Sequence, residues 1–152
     1  MSIIHAMPGH LIRRLNQIAT GLFQDRMAEL GFDLTPVQFG ALATLRDRPD
    51  VDQATLAGLI AHDRATIGGV LDRLQAKGLI ARQISPNDRR ARLVRLTQAG
   101  ADLLTRALPH VAALQDDILA GLSPDERDTF IRLAARVAEA GNALSRAPLV
   151  AR

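Results

Sequence analysis

From Leu79 to Thr97 the chain stops reading as helix. "LIARQI" and "ARLVRLT" are rich in β-branched and apolar residues, and the Ser-Pro-Asn-Asp-Arg-Arg segment between them, Ser85 to Arg90, is turn chemistry, so the stretch predicts two strands of a hairpin. On both sides the apolar period is that of a helix. One hairpin in an otherwise helical chain cannot build a sheet-based core, so the helices must supply the core and the hairpin must project from it or lie against it.

The helices are sharply punctuated. Leu11, Leu15, Ile18 and Leu22 recur at spacings of four, three and four and predict a long helix from Gly9 to Leu30, stopped by Gly31. Thr35, Pro36 and Gln38 form a capping-box start for a shorter helix that runs to about Arg46. Pro49 breaks the chain, and Asp52 caps "QATLAGLIA", which ends near His62. Asp63 is the expected cap of "RATIGGVLDRLQAKG", in which Ile67, Val70, Leu71 and Leu74 share a face and Gly78 terminates. Thr97 caps another long helix that Pro109 is expected to kink rather than end, since its apolar positions continue past it to Leu119. Ser123, Pro124 and Glu126 open the last one, with Phe130, Leu133, Val137, Ala140 and Leu144 as a near-heptad seam. Two short helices with a tight turn between them, the second basic and amphipathic, have the outline of a helix-turn-helix, and a hairpin directly after it is a wing.

Charge is concentrated in the same place. Between Asp63 and Arg95 eight basic residues face three acidic ones, a surplus of five in a chain whose net charge is only +3. Such an asymmetry is expected of a local nucleic-acid footprint. A solvated hairpin tip would also tolerate the arginines, so charge alone leaves both readings open. With four Phe and no Trp or Tyr, the chain lacks the aromatic platforms of stacking-based single-strand binders. The absence of cysteine removes disulfides, thiolate metal sites and thiol redox sensing. The four histidines are scattered, with His62 and His110 read as structural, no pair has helical metal-site spacing, and no catalytic triad or cofactor motif stands out. Asp116 and Asp117 are adjacent on a helix and point about 100° apart, which prevents them from sharing a site. An enzyme is therefore not expected, nor any cofactor or metal. No apolar run reaches the ~18 residues of a membrane span and no signal-like start is present, so the expectation is a cytoplasmic protein without a membrane partner.

The order helix, helix, helix-turn-helix, wing, long helix, helix resembles the MarR family of winged-helix transcriptional regulators. "DRRARLVRLTQAG" (Asp88 to Gly100) is similar to the family's wing motif of Asp-x-Arg followed by alternating apolar residues, Leu-Thr and a nearby Gly. "LDRLQAKGLI" (Leu71 to Ile80) matches the end of its recognition helix, and "LTPVQF" (Leu34 to Phe39) the start of its second helix. The resemblance implies a mainly α fold, residues 1–152 forming one domain: a winged helix-turn-helix lobe over about 35–97, with a small β-hairpin wing, and N- and C-terminal dimerisation helices over 8–31 and 98–147. It further implies an obligate homodimer on pseudo-palindromic double-stranded DNA, a repressor released from its operator by a small-molecule effector, often an aromatic carboxylate.

Residue by residue, the resemblance puts Arg90 at the third position of Asp-x-Arg, where the family's arginine enters the minor groove. A planar, permanently charged guanidinium suits a narrow A·T-rich groove, and Asp88 could orient it by a two-oxygen contact. Arg89 and Arg92 are expected at phosphates. Arg73 and Lys77, one helical turn apart, would join them or form structural ion pairs. Arg64, Ala65, Thr66, Gly68 and Gly69 are the positions able to approach base edges; the Gly68-Gly69 pair departs from the larger polar residues many relatives carry and suggests close backbone approach. For the effector, His10, Arg14 and Gln17 line one face of the first helix beside Arg13, with Phe39 as an apolar wall; a solvated face or dimer-interface ion pairs would account for that row equally well.

Overall fold

The computed structural model describes residues 2–150. Helices α1 (Pro8–Glu29), α2 (Pro36–Asp47), α3 (Gln53–Leu59), α4 (Ile67–Ala76), α5 (Gln98–Ile118) and α6 (Pro124–Gly141) surround a three-stranded antiparallel sheet of β1 (Val51–Asp52), β2 (Ile80–Ile84) and β3 (Arg92–Leu96). Short 3-10 turns flank the whole, at Ile3–Ala6 and Asn142–Leu144. The protein is mainly α with a small antiparallel sheet, as the resemblance implies.

Most helix boundaries are set by the punctuation in the sequence. Gly31 and Gly78 take φ of +71° and +73°, the left-handed conformation that ends α1 and α4. At α2 the Gln38 N–H donates to Thr35 Oγ1 (3.2 Å) and the Thr35 N–H to Gln38 Oε1 (3.2 Å), closing the expected capping box. Ser123 and Glu126 close the corresponding box at α6. At α3 the Asp52 carboxylate accepts from both the N–H and the hydroxyl of Thr55, each at 2.8 Å. Burial alone would raise the Asp52 carboxyl, but these bonds and the Ala54 N–H outweigh it and hold it below its ordinary value of 3.8.

The sheet order is β1-β3-β2, with Val51 opposite Val94 and Ile80 opposite Leu96. Val94, on the central strand, is fully buried. Strand β1 was not expected from the sequence: it has two residues, too short to show alternation, and follows the left-handed Asp50 (φ +60°), whose carboxylate receives Arg95 Nη2 at 2.7 Å. The hairpin is anchored to α5 at one close approach. A Cβ on Gly100 would stand 2.0 Å from the Leu79 carbonyl oxygen, while the Thr97 hydroxyl donates to Gly78 O at 2.6 Å and the Thr97 N–H to Leu79 O at 3.1 Å.

Met27, Leu42, Leu45, Leu56, Leu71, Leu74, Val94, Leu104 and Leu114 form the innermost layer, so the core joins the end of α1 to α2, α3, α4, β3 and α5. Helix α5 continues unbroken through Pro109 and ties this lobe to α1. Helix α6 buries none of its residues in the chain. Its seam stays open, with Val137 65% exposed, and Leu144 falls beyond the helix in the closing 3-10 turn at 89% exposed. The N-terminal part of α1 is equally uncovered, at Leu11, Ile12, Leu15 and Ile18. No described helix is long and apolar enough to cross a membrane.

Candidate nucleic-acid interface

Helix α4 starts three residues later than the sequence suggests. The Asp63 carboxylate accepts the Ala65 N–H at 2.7 Å, closing a local turn rather than capping the helix. Arg64, Ala65 and Thr66 therefore stand in an exposed turn, Thr66 is the N-cap residue without a side-chain cap bond, and Ile67 is the first helical residue. The Thr66 hydroxyl lies 3.1 Å from His62 Nε2, which orients both side chains at the entrance to the turn. Gly68 and Gly69 follow in the first turn of α4. At neither glycine would an added Cβ meet any atom of the chain within 4 Å. Nothing inside the protein demands two glycines there, although each costs a helix about 1 kcal/mol relative to alanine.

The basic residues of the segment divide into two groups. Lys77, Arg82 and Arg95 are committed inside the fold. Lys77 Nζ donates to Asp33 O (2.7 Å) and Gln38 Oε1 (3.0 Å) and pairs with Asp33 Oδ2 (3.1 Å), tying α4 to the entry of α2. Arg82 joins β2 to Asp72 and Gln75 of α4 and to Gln53 of α3, and Arg95 holds Asp50. In contrast, the exposed Arg64, Arg73, Arg89, Arg90 and Arg92 make no side-chain hydrogen bond or ion pair among the described residues. Of the two helical candidates, Arg73 is free and Lys77 has the structural partner that the alternative allowed.

At the wing tip Asp88 works differently from the expectation. Its Oδ1 accepts the backbone N–H of Arg90 at 2.9 Å, and its carbonyl accepts the Ala91 N–H at 3.0 Å. The loop is closed where Ser85 N–H donates to Ala91 O at 2.9 Å. The carboxylate thus shapes the backbone, and the guanidinium is left unpaired. A cleft of about 520 Å³ runs from the wing to the helix-turn-helix, lined by Arg64 and Ile67 on one side and by Asp88, Arg90 and Arg92 on the other, with Asp52 and Gln53 at its floor. The turn before α4 and the wing therefore present their cations to a shared space.

The four effector candidates are not brought together within one chain. Arg13, not Arg14, sits between the other polar groups: its Nη1 donates to Gln17 Oε1 at 3.1 Å and its Nη2 lies 3.4 Å from His10 Nδ1. Phe39 packs edge-on against Phe23, with ring centroids 6.1 Å apart. Phe23 follows His10 by thirteen residues on the same helix, which is roughly 20 Å of rise. The polar row and the aromatic wall are thus at opposite ends of α1.

Comparison with known proteins gives this geometry a lineage. The sequence profile of the MarR family matches residues 34–91, from the start of α2 to the wing loop. The HTH-type transcriptional repressor NicR of Pseudomonas putida is 36% identical over 125 residues, 82% of this chain and 78% of NicR. The chain belongs to the MarR family. As a MarR-family protein it is a DNA-binding regulator of transcription and not an enzyme. The structural relatives agree. BpsR of Bordetella bronchiseptica, whose DNA binding is regulated by 6-hydroxynicotinic acid, superposes with a TM-score of 0.83 at 32% identity, over 91% of this chain and 97% of that one. The repressor CouR, solved on a 23-mer DNA duplex, superposes with a TM-score of 0.81 at 31% identity, over 91% and 96% of the two chains.

Proposed function

We propose that this MarR-family regulator is an operator-binding repressor that acts as a homodimer on pseudo-palindromic duplex DNA and is released by a small aromatic acid. The observation that carries the DNA half is the set of five unpaired arginines on the turn before α4, on α4 and on the wing, next to three basic residues that the fold has already engaged. In this reading Arg90 enters the minor groove, with Asp88 shaping the loop that carries it, and Arg89, Arg92 and Arg73 meet phosphates. Arg64, Ala65 and Thr66 approach base edges, and Gly68 and Gly69 let the duplex come close to the helix backbone. Lys77 stays with Asp33 and Gln38 and serves the fold.

The homodimer rests on the uncovered apolar surfaces of α1 and α6. Helix α6 has no buried residue within its own chain, so its apolar seam is left for another chain to cover. The effector class rests on BpsR, named for 6-hydroxynicotinic acid, and the repressor role on NicR, named as one. His10, Arg14 and Gln17 lie on the uncovered part of α1, so the row would meet an aromatic wall only across a dimer, one chain's row against the partner subunit's lobe that carries Phe39.

The test is release. Genomic fragments retained by the protein supply the operator, and benzoate and 6-hydroxynicotinate are titrated against the complex while fluorescence anisotropy is followed. Release is expected, since a ligand that prefers the non-operator conformation shifts the population away from DNA. Arg14→Ala should raise the acid concentration needed at least tenfold, as for a charge-assisted contact of ~1.5–3 kcal/mol. DNA binding that no aromatic acid affects would remove the effector half and leave the operator half standing.

A further inference from the structure

Past α6 the chain returns to the DNA-binding lobe. Residues 145–150 leave the closing 3-10 turn and lie against α3, fastened at two points. Asn142 clamps Leu149 in both directions, Nδ2 donating to Leu149 O at 2.9 Å and Oδ1 accepting the Leu149 N–H at 2.8 Å. The Val150 N–H donates to Gly58 O at 2.8 Å, a carbonyl in the last turn of α3 that also takes the Ala61 N–H at 3.3 Å. The Val150 side chain fills the space above Gly58. A Cβ on that glycine would stand 3.2 Å from Val150 Cβ and Cγ2, closer than ordinary contact. The strap, with Leu149 43% and Val150 52% exposed, thus links the end of α6 to the lobe through Gly58, although α6 itself buries none of its residues.

The strap changes what lies beside the recognition turn. A cleft of about 500 Å³ opens between it and α3, lined by Arg48, His62, Asp63, Arg64 and Arg146 together with apolar groups. Arg64 also lines the cleft that leads to Arg90 and Arg92 on the wing. The two clefts meet at Arg64, so the row of cations does not end at the helix-turn-helix. It continues past the turn to Arg48 and Arg146. Neither arginine has an ion pair among the described residues, and the acid in their cleft, Asp63, already accepts the Ala65 N–H.

We propose that the C-terminal strap belongs to the DNA-binding surface, and that the exposed Arg146, which lines the strap's cleft together with Arg48, contacts the phosphate backbone beyond the reach of the wing. The inference rests on the reading of the Arg64–Arg90 face as the DNA surface. It adds a contact from the opposite end of the chain, one turn away from the helix that carries the proposed dimer seam. The position of α6 and the strap are thereby coupled: a change in how α6 sits alters where this cation stands.

The experiment uses the full chain and a fluorescein-labelled mixed-sequence duplex, with affinity measured over a range of salt concentrations. Phosphate contacts register on any sequence, so no operator is needed. Arg146→Ala is expected to lower the slope of log affinity against log salt by about 0.9 for each contact removed, with an unchanged melting curve. Arg146→Lys should keep the slope, since the charge remains. Asn142→Ala, which removes both side-chain bonds to Leu149 and leaves Arg146 and the net charge in place, should weaken binding in the same direction as Arg146→Ala. Arg90→Ala is the control for the underlying reading. A wild-type slope and affinity for Arg146→Ala, with Arg90→Ala impaired, would overturn the strap contact alone. Wild-type behaviour in both would overturn the DNA face as a whole.

Discussion

Asp88 holds the backbone N–H of Arg90 at 2.9 Å and leaves its guanidinium free. The acid is therefore a loop-former beside a DNA-facing cation, and its charge is dispensable while its acceptor is not. Asp88→Asn keeps the Oδ1 acceptor and removes a negative charge near phosphates, so its duplex affinity should equal or exceed that of the wild type. Asp88→Ala loses the acceptor and should bind more weakly than either, by less than Arg90→Ala does. Anisotropy titrations of the three variants decide it; equal loss in Asn and Ala would show that the carboxylate charge matters after all.

The wing's attachment offers a stability test away from any DNA contact. Since a Cβ on Gly100 would lie 2.0 Å from Leu79 O, Gly100→Ala forces the start of α5 away from the residue that leads into β2. The cost should be at least the ~1–3 kcal/mol typical of overpacking, read as a lowered midpoint in chemical denaturation. A midpoint equal to that of the wild type would mean that the two backbones are not in contact.

The cap of α3 gives a dependence on pH. Asp52→Ala should cost about 1 kcal/mol near neutrality, the usual value of an N-cap acid, and Asp52→Asn much less. The sign follows from the depressed folded-state carboxyl: its contribution is complete above the unfolded value and is lost as the pH falls through the folded one. The gap between wild type and Asp52→Ala should thus begin to narrow below about pH 4 and close only once the pH has fallen past the folded value. A gap that stays constant down to acid pH would assign the effect to packing.

Assembly should depend on α6. Val137→Asp and Leu133→Asp place a carboxylate on an apolar face that the chain itself leaves open, so the substitution strikes the proposed interface before the core. Sedimentation should show loss of the dimer, through a monomer or through aggregation of the exposed helices. A dimer of unchanged stability would move the interface elsewhere.

Local chemistry was the most legible part of this sequence. The caps at Thr35, Asp52, Thr97 and Ser123 and the stops at Gly31 and Gly78 act within four residues, so their positions could be read directly. The start of α4 was harder, because Asp63 serves equally well as helix cap or turn-former and two glycines weaken the first turn after it. Lys77 could not be resolved from sequence: its partner Asp33 lies 44 residues away, and only the folded chain brings them together. The row on α1 shows a different limit. Spacings of three and four are both helical, so the row reads as His10, Arg14 and Gln17 with Arg13 beside it, whereas the side chains place Arg13 between His10 and Gln17. The strap was invisible because nothing in "SRAPLV" announces a binding partner; Gly58 could have hinted at a close approach, but a glycine in a short helix has many readings.

The most direct test of the DNA-binding account is the affinity of Arg90→Ala for an operator fragment recovered from genomic DNA, measured beside its melting curve and oligomeric state. The account expects a loss of about 1–3 kcal/mol, with melting and assembly as in the wild type, because an exposed wing-tip side chain supports no core. Wild-type affinity in this variant would contradict it and remove the wing from the recognition of DNA.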